Sequence, residues 1–321
     1  MPDRSDAARM TGMSVTEGPL RARLPDRVTI VEVAPRDGLQ AERVTVATEV
    51  KLELIERLVA AGHTAIEATS FVDPAAVPQL ADAAELLARL PRRANVRYPV
   101  LVPNERGLDR ALTAGAREIA VVVSVSESYS QKNLRRSRAQ ALTMCAPVVR
   151  RAKDAGLRVR GYLSMVFADP WDGPTPVTTA VDTGRALREL GCDELSLGDT
   201  IGIGTAADVQ RLITAYAAAG VPASGLAVHF HDTYGQALPN VLAALELGVT
   251  TVDSSAGGLG GSPFARSAAG NLATEDLLWM LDGLGIETGV DVRQIAATGA
   301  WICGELGREP AGRVTRALSA S

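Results

Sequence analysis

Apolar residues along this chain fall into two kinds of run that alternate from residue 28 onward. Short stretches occur at Val28–Val33, Ala65–Ala68, Val96–Leu101, Ile119–Val123, Val159–Leu163, Glu194–Leu197, Leu226–Phe230 and Thr251–Ser254. Their length and many β-branched residues suit strands. Between them lie segments with helical spacing, such as Thr48–Ala61, where Val50, Leu54 and Leu58 repeat at i, i+4 and Gly62 can close the end. The others are Ala75–Leu90, Glu105–Ala114, Arg138–Ala155, Val177–Leu190, Ala206–Ala219, Leu238–Leu247 and Glu275–Leu284. Eight strand–helix units predict an α/β fold of the (β/α)8 TIM-barrel type, with a doubly wound open sheet as the alternative. Val290–Leu306 adds an extra C-terminal helical segment beyond the eighth unit.

The flanks break this pattern. Residues 1–25 mix Arg, Asp, Ser and Glu with little apolar periodicity and predict a disordered tail; 26–306 form the barrel, and 307–321 are expected to be a flexible C-terminal tail. The tail at the start lacks the apolar core of a secretory signal, and Asp3, Asp6 and Glu17 do not suit a mitochondrial presequence. At 321 residues and 46% hydrophobic content the chain can bury one barrel core. A net charge of -4 without a basic face or Lys/Arg run gives no sign of nucleic acid, and no apolar stretch is long enough to cross a bilayer. Cys145, Cys192 and Cys303 stand far apart without metal spacing, which fits a reducing cytoplasm.

Candidate chemistry begins with His229-Phe230-His231, two of the three histidines of the chain. At the end of a strand the i, i+2 spacing puts both imidazoles on one face, where they can share a metal ion, while Asp232 points the other way. A lone His-x-His is as often a pair of hydrogen-bonded structural residues, so further oxygen ligands must come from elsewhere. In a barrel they belong at the C-terminal ends of the strands. Arg36 and Asp37 follow the first strand, Glu67 closes the second, Tyr162 lies in the fifth, Asp199 follows the sixth, and Asn271 lies in the Gly-rich stretch after the eighth. Each has a bland reading: Pro-Arg-Asp-Gly as a solvated turn, Asn271 as a helix cap, Glu67 as an arginine's partner. Their convergence on one mouth favours a site.

The segments Val-Ala-Pro-Arg-Asp-Gly-Leu-Gln (33–40), Ile-Glu-Ala-Thr-Ser-Phe-Val (66–72), Leu-Ser-Leu-Gly-Asp-Thr-Ile-Gly (195–202), Val-His-Phe-His-Asp-Thr-Tyr-Gly-Gln-Ala (228–237) and Gly-Asn-Leu-Ala-Thr-Glu-Asp (270–276) resemble the 3-hydroxy-3-methylglutaryl-CoA lyases of the DRE-TIM metallolyases. The likeness runs in order from about Val28 to Cys303. It implies a carbon–carbon lyase of leucine catabolism and ketone body formation, acting on a CoA-thioester substrate. It also implies Asp37, His229, His231 and Asn271 as ligands of a divalent metal, Mg2+ or Mn2+, in an open oxygen- and nitrogen-rich shell.

By the same resemblance Arg36 faces the thioester carbonyl, Glu67 and Asp199 support the metal and the substrate hydroxyl, and Glu275 is a further supporting carboxylate. Either Asp37 or His229 is the base. Gln40 and Tyr162 are placed on the substrate side, Arg43 and Asn133 near the CoA moiety, and Lys132 and Ser137 beside them as weaker phosphate candidates. Ser262 stands where the family places a catalytic cysteine, and a hydroxyl is a far weaker acid than a thiol. The stretch Leu163–Gly173 also departs from the lyase pattern, which suggests a differently shaped acyl group. Citramalyl-CoA is one such substrate; a condensing synthase or hydroxy-ketoacid aldolase is a more distant reading, and a non-catalytic CoA-thioester-binding barrel belongs to another class. A cytoplasmic homodimer or homotetramer is expected, with no nucleic acid and no membrane.

Overall fold

Residues 18–261 and 270–319 are described by a computed structural model, and in it the eight expected strands form one parallel sheet that closes on itself. Closure shows at the second strand, whose halves Ala65–Ile66 and Thr69–Ser70 pair in opposite directions across the ring. Ala65 and Ile66 lie against Val31 and Glu32, whereas Thr69 and Ser70 lie against Val100 and Leu101. Between them Glu67 N donates to Glu32 O and Ala68 N to Pro99 O, so both pairings run through one strand. From Thr29–Glu32 the order continues through Thr251–Ser254, Leu226–Phe230, Glu194–Asp199, Arg158–Ser164 and Glu118–Ser124 to Val100–Leu101. The ring excludes the open-sheet alternative.

Strand alternation divides the side chains between two environments. On Arg158–Ser164, Val159 and Leu163 pack with the helices in the main core, while Arg160 and Tyr162 point to the barrel axis. The axis holds little apolar material, chiefly Val31, Val33 and Ala65 in one group and Leu101, Ala120 and Tyr162 in another. Polar residues fill the rest: Glu67, Arg160, Ser196, His229 and Asp253 are all buried.

Several boundaries differ from the pattern-based reading for local reasons. Ala75–Leu90 is not one helix. Val77 precedes Pro78 and is held out of the helical region, so a 3-10 turn at Pro78–Leu80 comes before the helix Ala83–Arg89. Pro99 has no N–H to donate, and only Val100–Leu101 of the expected Val96–Leu101 is regular strand. A helix at Glu127–Leu134 and a small hairpin, Ala168–Asp169 with Gly173–Pro174, are additional. Gly62 ends the helix Thr48–Ala60 with φ at +108°, as its position suggested.

Both expected tails are partly structured. Residues 1–17 lie outside the described residues, but Arg21–Arg23 form a 3-10 turn and Leu24 is buried. The extra segment is a helix, Val292–Glu305, packed beside Thr48–Ala60 and Thr274–Gly283. Within the stretch expected to be flexible, Arg313–Ser319 is helical and docked, because Asp276 accepts from Arg313 N and Val314 N and buried Thr315 donates to Glu275. Among the described residues no helix is long and apolar enough to cross a membrane.

Candidate active site

The first strand ends in a π-helical turn, Ala34–Gly38, wound around a single carbonyl: Val33 O accepts from Arg36 N, Asp37 N and Gly38 N. Pro35 contributes no N–H and fits the first turn. The turn presents Arg36 and Asp37 at the barrel mouth, and wide turns of this kind often mark functional sites. Arg36 Nε and Nη2 reach Glu67 Oε2 at 2.7 and 2.6 Å, and Nη1 reaches Asp37 Oδ1 at 2.5 Å. Burial opposes ionisation of both carboxylates. At Glu67 burial prevails over Arg36 and the pKa is raised; at Asp37 the charges of Arg36, His229 and His231 prevail and the carboxyl is held far below its ordinary value.

The strand Leu226–Phe230 delivers the histidines as the i, i+2 spacing required. Their ring centroids are 5.5 Å apart, and donor atoms of Asp37, His229 and His231 all lie within 4.8 Å of one another. His229 Nε2 is 3.8 Å from Asp37 Oδ2. An antiparallel bridge from His231 to Asn271 brings the fourth expected ligand alongside. Asn271 Nδ2 donates to Asp37 Oδ2 at 2.8 Å and to Leu259 O at 3.0 Å, while its buried Oδ1 has no hydrogen-bond partner among the described residues. Gly260, at φ +114°, permits this approach: a Cβ there would lie 2.4 Å from Asn271 Nδ2. An orphaned acceptor oxygen beside a carboxylate and two imidazoles is what a hard divalent cation requires, so the residues present fit a metal.

A cavity of about 570 Å³ opens over this cluster, lined near the donors by Arg36, Asp37, His229, His231 and Tyr162 and farther out by Gln40, Asn133 and Arg136. Tyr162 stands edge-on to His229 with centroids 6.0 Å apart, and its ring lies 5.5 Å from the Arg36 guanidinium carbon.

Other expected site residues sit elsewhere. Glu67 does not line the cavity; it is fully buried and holds Arg36, the role of an arginine's partner. Asp199 lies behind the wall, its oxygens accepting from Ile203 N and Gly204 N, and burial pushes its pKa up to about 6. Glu275 is fully buried and off the cavity: one oxygen accepts from Gly257 N and the other from Thr315 Oγ, and burial raises its pKa to about 6. Arg43 is exposed and off the cavity. Ser137 is spent capping the helix Arg138–Asp154, and Lys132 lies 4.7 Å over the Trp171 ring. Ser262 lies outside the described residues.

The sequence reading missed the groups behind His229. Asp253 Oδ2 is 3.2 Å from His229 Nδ1 and accepts from Ser196 Oγ at 3.0 Å, while Oδ1 accepts from Arg160 Nη2 at 2.7 Å. Burial disfavours the Asp253 charge, but Arg160 and His229 outweigh it and lower its pKa; the net effect at His229 is a raised pKa, its two acidic neighbours overcoming burial. The available signal was a lone acid at an inward position of an otherwise uncharged strand, Thr251–Ser254.

Known proteins resemble this chain along nearly its whole length. A zebrafish (Danio rerio) protein named 3-hydroxy-3-methylglutaryl-CoA lyase, cytoplasmic, is 50% identical over 92% of this chain and 88% of its own length. The crystal structure of hydroxymethylglutaryl-CoA lyase from Pseudomonas aeruginosa superimposes with a TM-score of 0.90 at 46% identity, covering 93% of this chain and 99% of that one. An HMG-CoA lyase from Acinetobacter baumannii, solved in complex with coenzyme A and 3-methylmalate, gives 0.87 at 34% identity over 91% and 95% of the two chains. The HMGL-like family model matches residues 27–302, all eight strands of the barrel and the helices around it, and the chain belongs to that family.

Proposed function

We propose that this chain is a metal-dependent lyase that cleaves 3-hydroxy-3-methylglutaryl-CoA, or a close 3-hydroxyacyl-CoA, into acetyl-CoA and a keto acid, acetoacetate for the parent substrate. The observation that carries the reading is the juxtaposition of Arg36 with the donor set Asp37, His229, His231 and Asn271 at one end of an open cavity. Two nitrogens and two oxygens suit Mg2+ or Mn2+ better than a closed thiolate site would. Such an ion, when bound, supplies a Lewis acid that lowers the pKa of a chelated hydroxyl.

The chain's own groups do the rest. Asp37, ionised beside Arg36, or His229 accepts the proton of the 3-hydroxyl. The O–H electron pair becomes the new C3=O bond as C2–C3 breaks, and the C2–C3 pair moves into the thioester as an enolate. Arg36, anchored on Glu67 before substrate arrives, faces the enolate oxygen with a fixed cation. The enolate carbon then takes a proton to give acetyl-CoA. Serine at position 262 makes that last transfer the step that distinguishes this chain from cysteine-bearing lyases.

A second acyl group is favoured by one segment. Met165 is fully buried at φ +63°, an uncommon conformation for a side-chain-bearing residue, and leads into the hairpin Ala168–Asp169 with Gly173–Pro174. It follows Ser164, which lines the cavity, so this segment helps to set the shape of that wall. Citramalyl-CoA is therefore the second candidate, and the 3-methylmalate in the A. baumannii structure is another branched hydroxy acid. Cytoplasmic location and a homodimer or homotetramer complete the reading.

Mn2+-loaded protein, incubated with a panel of 3-hydroxyacyl-CoA thioesters, should release acetyl-CoA detectable by mass from one of these two substrates. Ser262→Cys should raise turnover on hydroxymethylglutaryl-CoA if that is the native substrate, and leave it unchanged or lower on the best substrate otherwise. Metal-loaded protein that cleaves nothing in the panel would leave only the binding-barrel reading.

A further inference from the structure

The barrel axis carries a chain of buried charges that the mechanism above does not use. Asp253 and His229 sit opposite each other in the register of neighbouring parallel strands, both pointing inward. Behind them Arg160, 1% exposed, donates through Nη2 to Asp253 and through Nη1 to Tyr162 Oη at 3.2 Å, while its Nε lies 3.0 Å from Glu194 Oε1. His229 lines the cavity and Asp253 does not, so Asp253 acts on substrate only through the imidazole.

We infer that Asp253, locked in place by Arg160 and Ser196, is a positioning residue that holds His229 in the Nδ1–H tautomer and turns its Nε2 lone pair toward Asp37 and His231. A carboxylate paired to arginine can only accept, so the imidazole nitrogen facing it must carry the proton, and a neutral ring has only one to give. The other nitrogen, Nε2, is the atom on the Asp37 side. It is thereby committed as a lone-pair donor, which makes His229 a metal ligand and leaves Asp37 as the proton acceptor. Carboxylates placed behind a ligating histidine fix its tautomer and orientation and raise its basicity. Ser196 and Arg160 hold separate oxygens of Asp253, so the carboxylate cannot rotate away.

This inference rests on the metal-site reading but not on any particular thioester. The chain has three histidines, so single replacements assign each ring in a two-bond 1H–15N spectrum of Mg2+-loaded protein. The wild-type His229 pattern should be that of Nδ1–H; an Nε2–H pattern overturns the inference without any variant having to fold. Asp253→Asn should weaken Mn2+ binding, measured by EPR titration, by about 10–100-fold and lower kcat with little change in KM, with a loss of thermal stability from the buried Arg160 left without this counter-charge. Arg160→Met should shift the same readouts in the same direction, whereas an unchanged Mn2+ affinity in a folded Asp253→Asn protein refutes the role. Cleavage of a thioester by wild type together with that unchanged affinity removes this inference alone. An Nδ1–H signal and tight metal binding without any cleavage removes the lyase reading and leaves this one standing.

Discussion

Replacing Arg36 with Met separates the two things this side chain does. It neutralises Glu67, whose side chain is fully buried, and it presents a cation to the cavity. Deleting it leaves a buried carboxylate without its counter-charge, a loss of about 3–5 kcal/mol of stability at neutral pH. It also deletes a preorganised charge facing the enolate, worth about 10²–10³ in turnover for a single lost donor of this type. The first effect depends on pH with a definite sign. Glu67 already has a raised pKa, and without Arg36 it rises further, so the destabilisation is small near the unfolded carboxyl value of about 4.3 and grows as pH increases through the raised value. Glu67→Gln in the same chain removes the buried charge and should restore most of the lost stability. It should not restore turnover. Urea denaturation at pH 5 and 8, with kcat and KM measured for both single variants and the double, decides the matter. Recovery of turnover together with stability in the double variant would refute a transition-state role for Arg36 and reduce it to Glu67's counter-ion.

Three further outcomes follow from the same geometry. His231→Ala or Asp37→Ala should remove stoichiometric divalent metal and activity together, and Asn271→Ala should weaken metal binding, because its buried oxygen has no hydrogen-bond partner among the described residues; elemental analysis showing full metal in the first two sinks the ligand assignment. Glu32 is fully buried, accepts from Ala34 N, Ala256 N and Thr274 Oγ1, and has its pKa raised to about 7 chiefly by burial. Its protonated form is favoured in the fold, so its contribution to stability is lost as pH rises from about 4.5 to about 7; the difference in urea midpoint between wild type and Glu32→Gln should change across that window, and parallel curves would show that it does not titrate there. Thr315→Val takes the 2.6 Å donor from buried Glu275 Oε1 and should cost about 1–3 kcal/mol, read by denaturation; an unchanged midpoint would mean the C-terminal helix contributes nothing through this bond.

The order of elements was readable from the sequence because each strand buries both faces and each helix one stripe, and those demands leave period and length signatures that need no partner. The His229–His231 pair was readable for the same reason: strand geometry alone puts i and i+2 on one side. Arg36, Asp37 and Asn271 were recognisable from motif resemblance, but their meeting was not local. Asp37 and Asn271 are 234 residues apart, and only closure of the first strand against the eighth brings their side chains within 2.8 Å.

What the tertiary structure alone decided is the direction in which each buried acid faces. Glu67, Asp199 and Glu275 are all acids at or beyond strand ends, and sequence treats them alike. Packing sends the first to Arg36, the second to the backbone of its own loop and the third to Thr315 and Gly257, because an ionised carboxylate removed from water must be satisfied by whichever donors lie within reach. Asp253 is the converse case. Its place as the lone acid of a short, otherwise uncharged strand marks it only as unusual and names no partner, whereas the register of Thr251–Ser254 against Leu226–Phe230 sets it directly behind His229. Register is a property of paired strands rather than of either segment, since it is fixed by the pleat and packing of the whole barrel.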